Sequence, residues 1–177
     1  SMRLKDRVAI VTGGSSGIGR GICIEFAKEG ASVVVADVQE EPKIGKWHDT
    51  DLETTTVEEV EKLNAAAIFV RADMGKEDEV RAMMDTVGTY FGGLDIVVNN
   101  AGVHIPGNSQ ELSVADWDSV MGVNLRGFFI AVKYAIPHLR QSKVGRIINI
   151  ASVHAFRGGG GPVYPAAKAG VVNLTRD

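Results

Sequence analysis

The sequence predicts an α/β protein with a three-layer, doubly wound parallel sheet and helices on both faces. Three observations carry that reading. Short apolar, β-branched blocks alternate with longer stretches of helical period. The first block runs into a glycine-rich turn, residues 12–19, which opens a helix. An acidic residue, Asp37, closes the second block 18 residues after Gly19.

The elements follow in order. Residues 8–12, Val-Ala-Ile-Val-Thr, form a first strand that stops at Gly13-Gly14. Ile18, Ile22 and Phe26 recur every four residues on one face of the first helix, and Gly30 stands at its C-terminal cap. A second strand covers 33–36, Thr56 with Glu59 gives a capping-box start to a helix, and 67–70 is a third strand. A helix over 78–90, a strand over 94–98, helical text over 113–141, a strand over 146–150 and a helix opening near Pro162 complete the alternation. Two connections interrupt it. Residues 40–53, with Pro42, Gly45, Trp47 and His48, read as a surface insertion of unassigned role. Residues 152–161, ending in the glycines 158–161, read as a mobile loop.

Bulk properties exclude several function classes. The 177 residues are 45% hydrophobic and suit one domain over 1–177. The net charge of -3 arises from interspersed acids and bases, so nothing marks a nucleic-acid surface. No stretch is read as long enough to cross a membrane, and the single cysteine, Cys23, fits a buried spacer on a helix in a reducing, cytoplasmic setting. His104 and His154 lack metal-ligand spacing, so no metal is expected and both read as loop residues able to touch substrate.

The candidate chemistry begins at the turn. Gly13, Gly17 and Gly19 let the chain bend tightly, bring bare backbone to a pyrophosphate and aim a helix N-terminus at its charge. Asp37 suits the adenosine ribose hydroxyls, and its carboxylate repels a 2′-phosphate. Ser15, Ser16 and Val38 supply no cation, so NAD is favoured over NADP. Tyr164 and Lys168, four apart on a helix, face one site, where an ammonium favours the ionised phenol. Ser152 lies just past a strand end, where open parallel sheets bind ligands, and its hydroxyl can donate to a substrate oxygen.

Three segments, Thr12-Gly13-Gly14-Ser15-Ser16-Gly17-Ile18-Gly19, Asn99-Asn100-Ala101-Gly102 and Tyr164-Pro165-Ala166-Ala167-Lys168, resemble the classical short-chain dehydrogenase/reductase family in order and spacing. That resemblance implies a Rossmann-type fold and assigns Gly13, Ser15, Ser16, Gly17, Ile18, Gly19, Asp37, Asp73, Met74, Asn100, Ala101, Gly102, Tyr164 and Lys168 to the cofactor. It makes Tyr164 the proton donor in carbonyl reduction and the base in alcohol oxidation. Lys168 also holds the nicotinamide ribose, Ser152 polarises the substrate oxygen, and Asn124 holds a proton-relay water. Arg157 and the glycine loop flank the substrate, an alcohol or carbonyl compound that the sequence does not identify. Family members continue into further strands and a substrate-covering segment after the tyrosine helix, so the chain, which ends at Asp177 within helical text, is expected to be a fragment. Without those strands residues 146–150 would be an exposed sheet edge. The resemblance further implies a homodimer or homotetramer built on the helix carrying Phe129, Val132, Ile136 and Leu139, a stripe that core packing explains equally well. The competing function is a non-catalytic NAD(H)-binding protein, a truncated subunit that senses NAD(H) or pairs with a partner.

Overall fold

The computed structural model describes residues 2–45 and 53–177. Trp47 and His48 of the expected insertion lie outside the described residues. Five parallel strands form one sheet in the order β3-β2-β1-β4-β5. They are β1 (Val8–Thr12), β2 (Ser32–Asp37), β3 (Ala67–Arg71), β4 (Ile96–Asn99) and β5 (Arg146–Asn149). The helices are α1 (Gly17–Lys28), α2 (Thr56–Glu61), α3 (Glu77–Phe91), α4 (Val114–Met121), α5 (Gly127–Leu139) and α6 (Val163–Arg176).

Alternate strand residues point to opposite faces, and each face has its own core. Ile10, Val34 and Val97 meet Val80, Met84, Ile130 and Ala135 of α3 and α5. Ala9, Val11, Val33 and Val98 meet Cys23 and Ala27 of α1 and Val60 of α2. The expected three layers are therefore present. The sheet changes direction between β1 and β4, and the loops after these two strands open a crevice at their C-terminal ends.

Several local expectations are corrected. On α1 the buried residues are Gly19, Arg20, Cys23 and Ala27, whereas Ile18 is 69% exposed at the crevice. Burial raises the Cys23 thiol to about 12, which makes it an inert spacer. The capping box of α2 is Thr55 with Glu58, one residue earlier than expected. Thr56 is drawn away because its hydroxyl donates to the Gly14 carbonyl at 2.8 Å, and Glu59 accepts from Thr54.

The helical text beyond Ser113 forms one continuous run, Val114–Leu139, whose 26 residues are long and apolar enough to cross a membrane. That corrects the expectation that no stretch is. Its Ile130, Ala131, Ala135 and Leu139 pack into the core with the sheet, and Phe128 is buried beside Lys168, whereas 39% of the run's most apolar window is buried. Leu139 thereby leaves the exposed stripe, while Phe129 remains 52% exposed. Among the described residues strand β5 pairs with β4 alone, and Ile148 is 42% exposed, so this strand is less buried than its composition suggests. The loop before α6 contains a short helical turn, Val153–Ala155, and its Gly160 carbonyl lies 2.9 Å from His104 Nε2.

Candidate active site

Thr12 organises the crevice. Its hydroxyl donates to the Val98 carbonyl and accepts from the backbone N–H groups of Asn100 and Ala101, so the ends of β1 and β4 are locked together. The Asn100 side chain donates to the Thr12 carbonyl at 3.0 Å. Gly13 has φ +66°, and a Cβ there would lie 2.9 Å from Ala101 Cα. Only glycine lets the two loops approach this closely. At Gly19 a Cβ would collide with the Gly13 carbonyl, so α1 packs directly on the turn.

A cavity of about 520 Å³ follows. Its walls include Gly13, Ser16, Gly17, Ile18, Asp37, Asp73, Met74, Asn100, Ala101 and Gly102, ten of the residues assigned to the cofactor from the sequence. Ser15 and Gly19 support it from behind: Ser15 is fully buried, and its hydroxyl donates to the Gln39 carbonyl at 2.7 Å. Ser16 is the N-cap of α1 but makes no side-chain cap, because its hydroxyl accepts from the Lys43 backbone N–H at 2.7 Å. The first turn of α1 carries no acid, so its N–H groups favour an anion.

Asp37 is 8% exposed, and its two oxygens accept from the backbone N–H groups of Ser15 and Val38. The remaining lone pairs suit ribose hydroxyls. Asp73 lies in the same wall, with Oδ1 accepting from the Gly75 N–H and Oδ2 3.9 Å from Lys76. The bare cradle, helix terminus and carboxylate together fit the adenosine and pyrophosphate of a dinucleotide.

The second group of residues sits at the C-terminal end of β5 and on α6. Lys168 is 3% exposed, and its Nζ donates to the Ile150 carbonyl at 2.7 Å. The ammonium lies 5.2 Å from the Phe128 ring centroid and 5.8 Å from that of Tyr164. Tyr164 is bracketed by edge-to-face contacts with His104 at 5.4 Å and His154 at 6.1 Å. The Ser152 hydroxyl accepts from the His154 N–H, which leaves its own proton for another acceptor.

Asn124 is fully buried in a π-helical stretch, Gly122–Arg126, between α4 and α5. Its amide pairs twice with Val103, accepting from the N–H and donating to the C=O, each at 2.8 Å. The side chain thus fastens the loop after Gly102, and the widened turn places it there.

Burial lowers the Lys168 ammonium from its ordinary 10.5 to about 8, since desolvation disfavours the charge. The folded chain sheds this proton before the unfolded chain does. Between pH 8 and 10.5 the unfolded state therefore binds more protons, and this residue's contribution to stability rises with pH. Urea titrations of Lys168→Met and the parent should show the parent gaining on the variant across that window. A pH-independent difference would contradict a buried charge.

Three features carried weak sequence signals or none. Lys43 enters the cavity wall from the connection after β2, six residues beyond Asp37. The Asn124 pairing depends on an irregular helix that periodicity does not reveal. The two histidines meet at Tyr164 from loops about 50 residues apart.

The short chain dehydrogenase family model matches residues 7–177. The chain belongs to this family. Among curated relatives of the short-chain dehydrogenase, the (2S)-[(R)-hydroxy(phenyl)methyl]succinyl-CoA dehydrogenase subunit BbsD of Thauera aromatica is 38% identical over 175 residues, 99% of this chain and 66% of the relative. The meso-2,3-butanediol dehydrogenase of Serratia marcescens is 37% identical, covering 99% of this chain and 65% of the relative. The crystal structure of levodione reductase superposes with a TM-score of 0.84 at 32% identity, over 98% of this chain and 65% of that one. The chain thus spans about two thirds of the length of the relatives it matches.

Proposed function

We propose that this short-chain dehydrogenase is a single dinucleotide-binding domain over 1–177 that uses NAD(H) to interconvert a small-molecule alcohol and its ketone. The observation that supports it best is the glycine cradle and Asp37 at one end of the crevice, with Ser152, Tyr164 and Lys168 at the ends of β5 and α6. A nicotinamide held there would supply hydride exchange with the carbon that bears the substrate oxygen. Gly13, Ser16, Gly17 and Ile18 hold the pyrophosphate, Asp37 takes the adenosine ribose, and Asp73, Met74, Asn100, Ala101 and Gly102 form the remaining wall. Ser15 and Gly19 brace the turn.

Ser152 donates a hydrogen bond to the substrate oxygen. Tyr164 gives its phenolic proton to that oxygen in reduction and takes it back in oxidation. Lys168 stabilises the charge that develops on the phenol and reaches the nicotinamide ribose. Asn124 positions the loop carrying Val103 and so the wall beside a proton relay. The exposed Phe129 on α5 supports pairing of copies through that helix, as a homodimer or homotetramer in the cytoplasm.

A panel of alcohols and ketones, followed by nicotinamide absorbance, tests the reading directly. Turnover is expected, and dinucleotide binding without any turnover would favour a sensor. Asp37→Ala should lower the preference for NAD over NADP about tenfold, the scale of one charge-assisted contact. An unchanged preference in calorimetric titrations would remove Asp37 from the ribose site.

A further inference from the structure

We propose that His104 is a positioning residue: it clasps the glycine loop at Gly160 and thereby holds the first turn of α6, and with it Tyr164, in place. The role of Tyr164 rests on the function proposed above. His104 Nε2 lies 2.9 Å from the Gly160 carbonyl. A carbonyl oxygen only accepts, so Nε2 carries the proton. The bond joins the loop after β4 to the connection that enters α6, four residues before Tyr164.

Both sides of the clasp are built. Val103, the residue before His104, is fixed through its N–H and C=O by the buried amide of Asn124. Opposite it, Gly159, Gly160 and Gly161 have φ of +124°, +78° and +84°, a run that side chains rarely adopt. A Cβ at Gly159 would stand 2.9 Å from His154 Cε1, and one at Gly161 would stand 2.6 Å from the Gly107 carbonyl. The glycines thus let the loop lie against His154 and against the loop that carries His104.

Helix α6 needs such an anchor. Its N-cap is Pro162, whose side chain cannot accept from the first-turn N–H groups, and no acid stands in that turn. Tyr164, the second residue of the helix, meets both imidazole edges, and both imidazoles also meet the glycine loop. Losing the bond at Gly160 frees the segment that fixes where the phenol sits, and a misplaced catalytic group lowers kcat.

Two variants separate the bond from the ring. His104→Phe keeps a ring beside Tyr164 and cannot donate, whereas His104→Gln loses the ring and keeps an N–H near the place of Nε2. His104 is exposed, so neither change disturbs the core. The first measurement is trypsin cleavage after the exposed Arg157, followed as the new Gly158 N-terminus. The second is steady-state kinetics on the best substrate of the alcohol and ketone panel, with calorimetry for the dinucleotide.

For His104→Phe the expected result is about a three- to tenfold rise in cleavage rate and a similar fall in kcat, the range of one hydrogen bond, with KM and dinucleotide affinity within about twofold. His104→Gln should stay within about twofold of the parent throughout. Equal behaviour of His104→Phe and the parent overturns the proposal, as does a His104→Gln that loses as much kcat as His104→Phe. Faster cleavage with unchanged kcat, or a change confined to KM, makes the loop a wall and removes the positioning role. A parent that binds dinucleotide without turning over any panel member overturns the proposed function and the positioning role together, and the cleavage rates then decide the clasp alone.

Discussion

Tyr164→Phe is expected to lower kcat between about a hundredfold and ten-thousandfold, the range spanned by a lost general acid or base, while dinucleotide affinity stays within about twofold. The ring edges that meet His104 and His154 survive the substitution. So do the buried contacts of Val163, Ala167 and Val171 that seat α6. The change removes one oxygen and leaves its surroundings in place, which separates chemistry from binding. Single-turnover absorbance measures the first, and calorimetry measures the second. A fully active variant would take the proton-transfer role away from Tyr164, and a variant that lost binding would give the hydroxyl a structural role.

The second large effect is expected at Gly19→Ala. The added methyl would run into the Gly13 carbonyl and stand 2.7 Å from Asn100 Nδ2. Neither neighbour can yield cheaply, because Gly13 is backbone and Asn100 is bonded to the Thr12 carbonyl. Relief requires the turn to move off α1, which opens the cradle. A loss of dinucleotide affinity of at least about a hundredfold should follow, with about 1–3 kcal/mol of destabilisation from overpacking. Gly21→Ala supplies the contrast, since a Cβ there meets nothing within 4 Å. That variant should gain up to about 1 kcal/mol from helix propensity, as read by urea unfolding. Equal behaviour of the two variants would dismiss the steric argument.

Strands one to four and the turn were legible because each is a local signal: a β-branched block, a glycine spacing, an acid at a strand end. Boundaries moved by a residue or two where tertiary bonds intervened, as when Thr56 turned to Gly14 and left the capping box to Thr55. Hydrophobic periodicity misassigns the buried face of α1 because Ile18 lines the crevice, and Gly19 and Arg20 take the inner positions that hydrophobicity would not give them. Lys43 carries no sequence signal for a related reason. Sequence distance from Asp37 says nothing about a connection fastened by serine hydroxyls to the turn. Ten motif residues line the cavity wall because the glycines fix the backbone of the turn and Asp37 closes β2 beside it, both of which the motif spacing dictates.

The place of β1 in the sheet also governs how the protein can be made. This strand is made before its two neighbours but lies in the middle, so one flank pairs early with β2 and the other waits for β4. The Thr12 hydroxyl and the Val98 carbonyl that seal that flank are 86 positions apart. Until the later segment emerges, a nascent chain carries an open apolar strand, a target for chaperones and for self-association. Synthesis rate through the intervening helices thus bears on yield, and nucleotide cannot rescue an intermediate whose cradle still lacks Asn100.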